Sequence, residues 1–148
     1  KGEGIYRTQF ILANNVNGDV FSYTSAGGVS FIYLGHSVIW GNKVNQTAGS
    51  GIHLYKDTGV VMDVLIDWVW TSDCKEHGIY TAGTWGVRIV NSLSEGNGGD
   101  GFKLESSTEM YLNNLYSASN GANGFRFCGW GNRVEAVNLT HRNILILN

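Results

Sequence analysis

The chain has 148 residues, 43% of them apolar and only 15% charged, with a formal net charge of −2. That apolar content is enough to bury a core, which excludes a disordered chain, and the charge balance is too poor in cations to track phosphates, which excludes nucleic acid as a partner. No run of about 18 apolar residues occurs, so no membrane span is expected, and the two cysteines, Cys74 and Cys128, lack metal-ligand spacing, so no metal or other cofactor is implied.

Glycine numbers 21, proline is absent, and asparagine recurs from Asn14 onward. Gly and Asn tolerate left-handed backbone at tight turns. Many such turns, with no segment of helical period, predict an all-β chain of short strands.

Residues 1–17 read as a lead-in or partial coil, opening on Lys-Gly-Glu-Gly rather than on a start methionine or signal peptide. A loose element, Gly18-Asp19-Val20-Phe21, comes next. Four clear copies follow: Gly51-Ile52-His53-Leu54, Gly78-Ile79-Tyr80-Thr81, Gly101-Phe102-Lys103-Leu104 and Gly124-Phe125-Arg126-Phe127. Their starts lie 27, 23 and 23 residues apart. A second apolar strand trails each copy, at 61–66, 87–90, 110–112 and 134–137, and is closed by Asp67, Asn91, Asn114 and Asn138. A last apolar run begins at Ile144.

A fixed period of about 23 residues argues against a meander or sandwich, whose strands carry no such super-period. It predicts parallel strands, each stacked on its counterpart one coil away at about 4.8 Å. Ile52, Ile79, Phe102 and Phe125 would form one inward stack. Asp67, Asn91, Asn114 and Asn138 would form a second inward ladder of mutually bonded side chains.

On these residues the sequence resembles the right-handed parallel β-helix superfamily that includes pectate lyases, polygalacturonases and phage tailspike depolymerases, over roughly residues 18–148. The resemblance implies an all-β, right-handed single-stranded parallel β-helix of about five to six coils, starting near 18, 51, 78, 101 and 124, with a partial coil at 144. Open coil edges aggregate unless covered, so continuation in a longer chain or burial in a homotrimer is expected. The resemblance further implies a polysaccharide partner and an extracellular or virion-surface location. The expected function is a tailspike-like or pectate-lyase-like module that binds a surface glycan. If it is an enzyme it would be a depolymerase, hydrolase or lyase. The alternative is a non-enzymatic structural or adhesive segment of a virion spike, decoration protein or surface adhesin.

Strand alternation selects the residues available for that chemistry. The second position after each Gly gives an outward stripe, His53, Tyr80, Lys103 and Arg126. The fourth gives Tyr55, Ala82, Glu105 and Cys128, and the residue before each Gly gives Ser50, His77, Asp100 and Asn123. Asp100 and Glu105 are candidate catalytic carboxylates for glycoside hydrolysis. Lys103 and Arg126 are candidates to neutralise a uronate, one of them taking the proton in β-elimination. His53, Tyr55, Tyr80, Trp85 and Trp130 are candidates to stack on sugar rings, and Trp68 and Trp70 are expected on one side of a strand. The longer turn 71–77 offers Asp73, Glu76 and His77 as an acid pair or weak cation site. Against these stands the plain fact that an outward strand face is polar by default.

Overall fold

The computed structural model describes residues 8–25, 28–129, 134–140 and 144–146. Among them the chain is all-β apart from one short 3-10 turn, Lys43–Asn45. One sheet contains β1 (Thr8–Ile11), β3 (Val29–Trp40), β5 (Val61–Ser72), β7 (Thr84–Val90), β10 (Met110–Ala118) and β12 (Val134–Thr140), with β8 (Leu93–Glu95) against β5 and β10. The other contains β2 (Phe21–Ser25), β4 (Ile52–Lys56), β6 (Ile79–Ala82), β9 (Phe102–Glu105), β11 (Phe125–Cys128) and β13 (Ile144–Ile146). Apart from β7 and β8, which both belong to the first sheet, successive strands alternate between the sheets, and every strand pairing among the described residues is parallel. No helix among them is long and apolar enough to cross a membrane.

The second sheet is the glycine-led repeat. Ile52, Ile79, Phe102 and Phe125 stand in one register line, each fully buried, and the two phenyl rings stack at 4.8 Å. Leu54, Thr81, Leu104 and Phe127 form the next inward line. The loose first copy is set two residues later than the sequence suggests: Phe21, not Asp19, lies in the line of Ile52. Burial decides this, because starting at Gly18 would turn the Asp19 carboxylate into an apolar core.

Why glycine leads each rung is a matter of space. A Cβ on Gly78 would run into the Ser94 hydroxyl, and one on Gly101 into the Ser117 hydroxyl. Thr71, Ser94 and Ser117 are buried polar residues whose hydroxyls bond along the stack: Thr71 Oγ1 donates to Ser94 Oγ at 2.9 Å, and Ser94 and Ser117 donate to the carbonyls of Gly101 and Gly124 at 2.8 and 3.0 Å.

The long strands of the first sheet bend at aligned left-handed residues. One corner line is Phe31, Asp63, Gly86 and Glu109, and a second is His36, Trp68, Asn91, Asn114 and Asn138, all with φ between 48° and 75°. The asparagine ladder expected inside the molecule therefore sits on an outer corner. Asn91 Nδ2 donates to Asp67 Oδ1, and Asn114 Nδ2 to Asn91 Oδ1, both at 3.0 Å, while Asn114 and Asn138 are exposed. The register partner of Asn91 is Trp68, not Asp67. The positive φ at Trp68 also interrupts the alternation that was expected to align Trp68 with Trp70. The inner ladder is instead the buried Asn97 and the half-buried Asn120: Asn97 Oδ1 accepts from the Cys74 N–H at 3.0 Å, and Asn120 Oδ1 from Asn97 N–H and Nδ2 at 3.0 and 2.9 Å.

Overpacking a tight backbone site costs about 1–3 kcal/mol. Gly101→Ala is expected to lower the unfolding free energy in urea by that amount. Gly18→Ala, with nothing within 4 Å of its added Cβ, is expected to change it by less than about 0.5 kcal/mol.

Candidate functional site

The sequence-derived stripe exists as a register line: His53, Tyr80, Lys103 and Arg126 stand side by side on β4, β6, β9 and β11. Its groups bond chiefly to one another. The His53 ring stacks on Tyr80 at 4.4 Å and on Tyr55 at 4.5 Å, and its Nδ1 lies 3.0 Å from the Asp19 carboxylate. The Lys103 ammonium sits 4.1 Å above the Tyr80 ring and 3.2 Å from Glu105, to which the Tyr80 hydroxyl donates at 2.9 Å.

The titration directions follow from that closure. Partial burial pushes Glu105 up, but the Tyr80 hydroxyl and the Lys103 ammonium outweigh it and leave its carboxyl below the usual range. Burial and the neighbouring Glu105 carboxylate raise the Tyr80 hydroxyl, which stays a donor. Asp19 is pushed up by burial but held low overall by His53 and the Ser50 N–H. A general acid must keep its proton near working pH, and Glu105 is tuned the other way.

The residue before each Gly does not face solvent as strand alternation suggests. Asp100 is 1% exposed and Ser50 2%. These side chains run along the stack, each accepting the backbone N–H of the next repeat. Asp19 Oδ1 accepts from Ser50 at 2.7 Å, Ser50 Oγ from His77 at 3.4 Å, His77 Nδ1 from Asp100 at 3.0 Å, and Asp100 Oδ1 from Asn123 at 3.0 Å. Asn123 Nδ2 also donates to Asp100 Oδ1 at 2.8 Å. Of the four catalytic candidates, Lys103 and Glu105 meet directly, Arg126 approaches the Asp100 carboxylate at 3.9 Å, and Asp100 is sealed beneath them. Cys128, expected outward, is also buried.

The 71–77 turn is likewise absorbed by packing. Asp73 lies 3.7 Å from Lys43, Glu76 accepts the Gly49 N–H at 3.3 Å, and His77 belongs to the ladder. Burial lifts the Cys74 thiol to about 12. Among the described residues no three metal-binding side chains gather. Trp130 lies outside the described residues.

The feature missed from sequence is on the first sheet. There Leu65, Arg88, Tyr111 and Glu135 form an outward register line beside the corner line Phe31, Asp63, Gly86 and Glu109. Together with Val64 and Met110 they line an open cleft of about 1210 Å³. Trp85, half-exposed at 50%, stands next to it with its indole N–H on Glu109 at 2.8 Å, and Asn113 Nδ2 donates to the Tyr111 hydroxyl at 3.1 Å. The signal was available in the period-two alternation of the second strand of each repeat. Trp85, placed among the candidates, is the one that leads there. No family model matches this chain, and neither a curated protein nor a solved structure matches it.

His77 yields a pH prediction. Because Nδ1 accepts the Asp100 N–H, the folded chain holds this imidazole neutral, and burial lowers its pKa below the ordinary 6.5 despite the nearby Asp100 carboxylate. The unfolded chain then binds the proton more readily, so the contribution is complete above about pH 6.5 and is lost as pH falls below it. The unfolding free energy is expected to decline from about pH 7 to about pH 5, and His77→Gln to flatten that decline. Equal slopes in both proteins would refute this role.

Proposed function

We propose that the two alternating parallel sheets are faces of a right-handed single-stranded parallel β-helix, and that the helix binds a polysaccharide along the cleft of its first sheet. The observation that carries this reading is the cleft itself, flanked by aromatic rings held in place by hydrogen bonds at Trp85 and Tyr111. Aromatic faces take up the apolar side of a sugar ring, while carboxylates and a guanidinium beside them bond its hydroxyls. Rings fixed beforehand need little ordering when the ligand arrives. Stacked strands repeat at about 4.8 Å, close to the length of one pyranose unit, so a glycan lying across them meets a similar surface at each rung.

The reading is one of binding rather than cleavage. Asp100 is occupied with a backbone amide, and Lys103 and Glu105 neutralise one another. The stripe is thus assigned to holding the repeats together. A glycan-receptor module on a virion or other extracellular surface is the corresponding role.

A panel of neutral and acidic oligosaccharides, followed by calorimetry on the binders, tests this. Trp85→Ala is expected to weaken binding at least tenfold, the size of a truncated aromatic anchor, whereas Glu105→Gln stays within about twofold. No binding to any glycan, or binding lost in Tyr80→Ala but retained in Trp85→Ala, would contradict it.

A second reading, a structural or adhesive segment that assembles with its own copies, is favoured by one feature. A groove of about 310 Å³ is lined by Phe10, Ile11, Val38, Trp40 and Trp70, of which Phe10, Ile11 and Trp40 are exposed. In light scattering this reading predicts a multiple of 16.2 kDa that Trp40→Glu returns to the monomer mass. A wild-type monomer would remove it.

A further inference from the structure

We infer that the cleft takes uncharged glycans and excludes polyanionic ones such as uronate or sulfated chains; this rests on the reading that the cleft is the glycan site. The open cleft and its two anchored aromatic rings make the site, and the ionised side chains around them set its selectivity. Its described lining carries three carboxylates, Asp63, Glu109 and Glu135, against one cation, Arg88.

Their placement matters more than their number. Asp63 and Glu109 occupy the same corner line with Gly86 between them, so they stand two strand spacings apart, roughly 10 Å. Gly86 has φ +70° and no side chain, and a Cβ there would come 3.2 Å from Asp63 Oδ1. The Asp63 carboxylate therefore reaches over the space that Gly86 leaves without a side chain, and Glu109 stands one strand spacing away on the other side of that glycine. Glu135 neighbours Tyr111 in the adjacent line. A sugar ring seated on Trp85 or Tyr111 has a carboxylate next to it in either case. Hydroxyl groups donate to these oxygens, whereas a ring carboxylate or sulfate meets like charge, with Arg88 the one cation of the described lining to offset it. The cationic side chains that were expected to hold a uronate, Lys103 and Arg126, are on the other sheet, with Lys103 paired to Glu105 and Arg126 set toward Asp100.

The experiment uses matched neutral and acidic oligosaccharides of equal length, for instance galacturonate hexamers as free acids and as methyl esters, galactan hexamers, and sulfated and unsulfated galactans. Every glycan whose binding Trp85→Ala weakens is expected to be neutral, with its acidic counterpart at least tenfold weaker in low salt. That ratio should shrink in about 0.5 M salt as the carboxylates are screened. An Asp63→Asn, Glu109→Gln, Glu135→Gln variant should lower the ratio to under threefold while still binding the neutral glycan, since the Glu109→Gln change keeps a side-chain oxygen for the Trp85 indole. Asp57→Asn, outside the cleft, should leave it unchanged. An acidic glycan bound in the cleft as tightly as its neutral partner, or an unchanged ratio in the triple variant, overturns the inference while leaving the cleft as a glycan site. No binding by any glycan overturns both.

Discussion

The architecture depends on one repeated interaction: a side chain of one repeat accepts the backbone N–H of its neighbour. A chain that turns sharply several times in each repeat of about 23 residues takes many peptide groups out of regular strand pairing at the corners, and buried unpaired amides are costly. Here the corners are stacked, so one column of acceptor side chains, whatever their type, can serve successive levels. Asp19, Ser50, His77 and Asp100 do this on one side of the rung, and Asn97 and Asn120 on another. The apolar lines Ile52–Phe125 and Leu54–Phe127 then fill the space those corners enclose. The buried area drives folding, and the ladders fix the register in which it is buried.

This division explains how the charged residues are used. On the second sheet, acids and bases beside the rung lie within reach of the corner amides and of one another, and they are drawn into the ladder or into pairs. A polar stripe that looks reactive in sequence is, in three dimensions, largely bonded to itself. On the first sheet the left-handed corner line carries Asp63 and Glu109, with Arg88, Tyr111 and Glu135 in the next outward line, and their side chains border an open cleft. On the proposed reading, the surface that takes the ligand is the one whose side chains are not drawn into the corner ladder.

Much of the scaffold was legible in the sequence. The Gly-apolar-x-apolar rung located the strands of the second sheet and the inward phenylalanine stack, because period-two alternation and a 23-residue period are both visible in a linear string. Corners were harder. Asn91 and Asn114 share the period and so look like an inner ladder, yet a left-handed φ turns them outward. The inner pair lies in Ser94-x-x-Asn97-Gly and Ser117-x-x-Asn120-Gly, a recurrence as regular as the first but without the apolar flanks that draw attention. Asp100 was misplaced for the same reason, since alternation does not extend through a corner. The cleft escaped notice because it joins residues from several repeats, none of which forms a motif on its own.

The separation of a structural face from a binding face is tested most directly by two-dimensional NMR of the labelled chain titrated with a bound oligosaccharide. The Trp85 indole N–H, hydrogen-bonded to the cleft residue Glu109, provides its own resonance beside the cleft. That signal and the backbone amides of 86–88 and 109–111 are expected to shift with ligand, while those of 79–82 and 102–105 stay in place. Shifts centred on Tyr80, Lys103 and Glu105, with the Trp85 indole unmoved, would contradict the assignment.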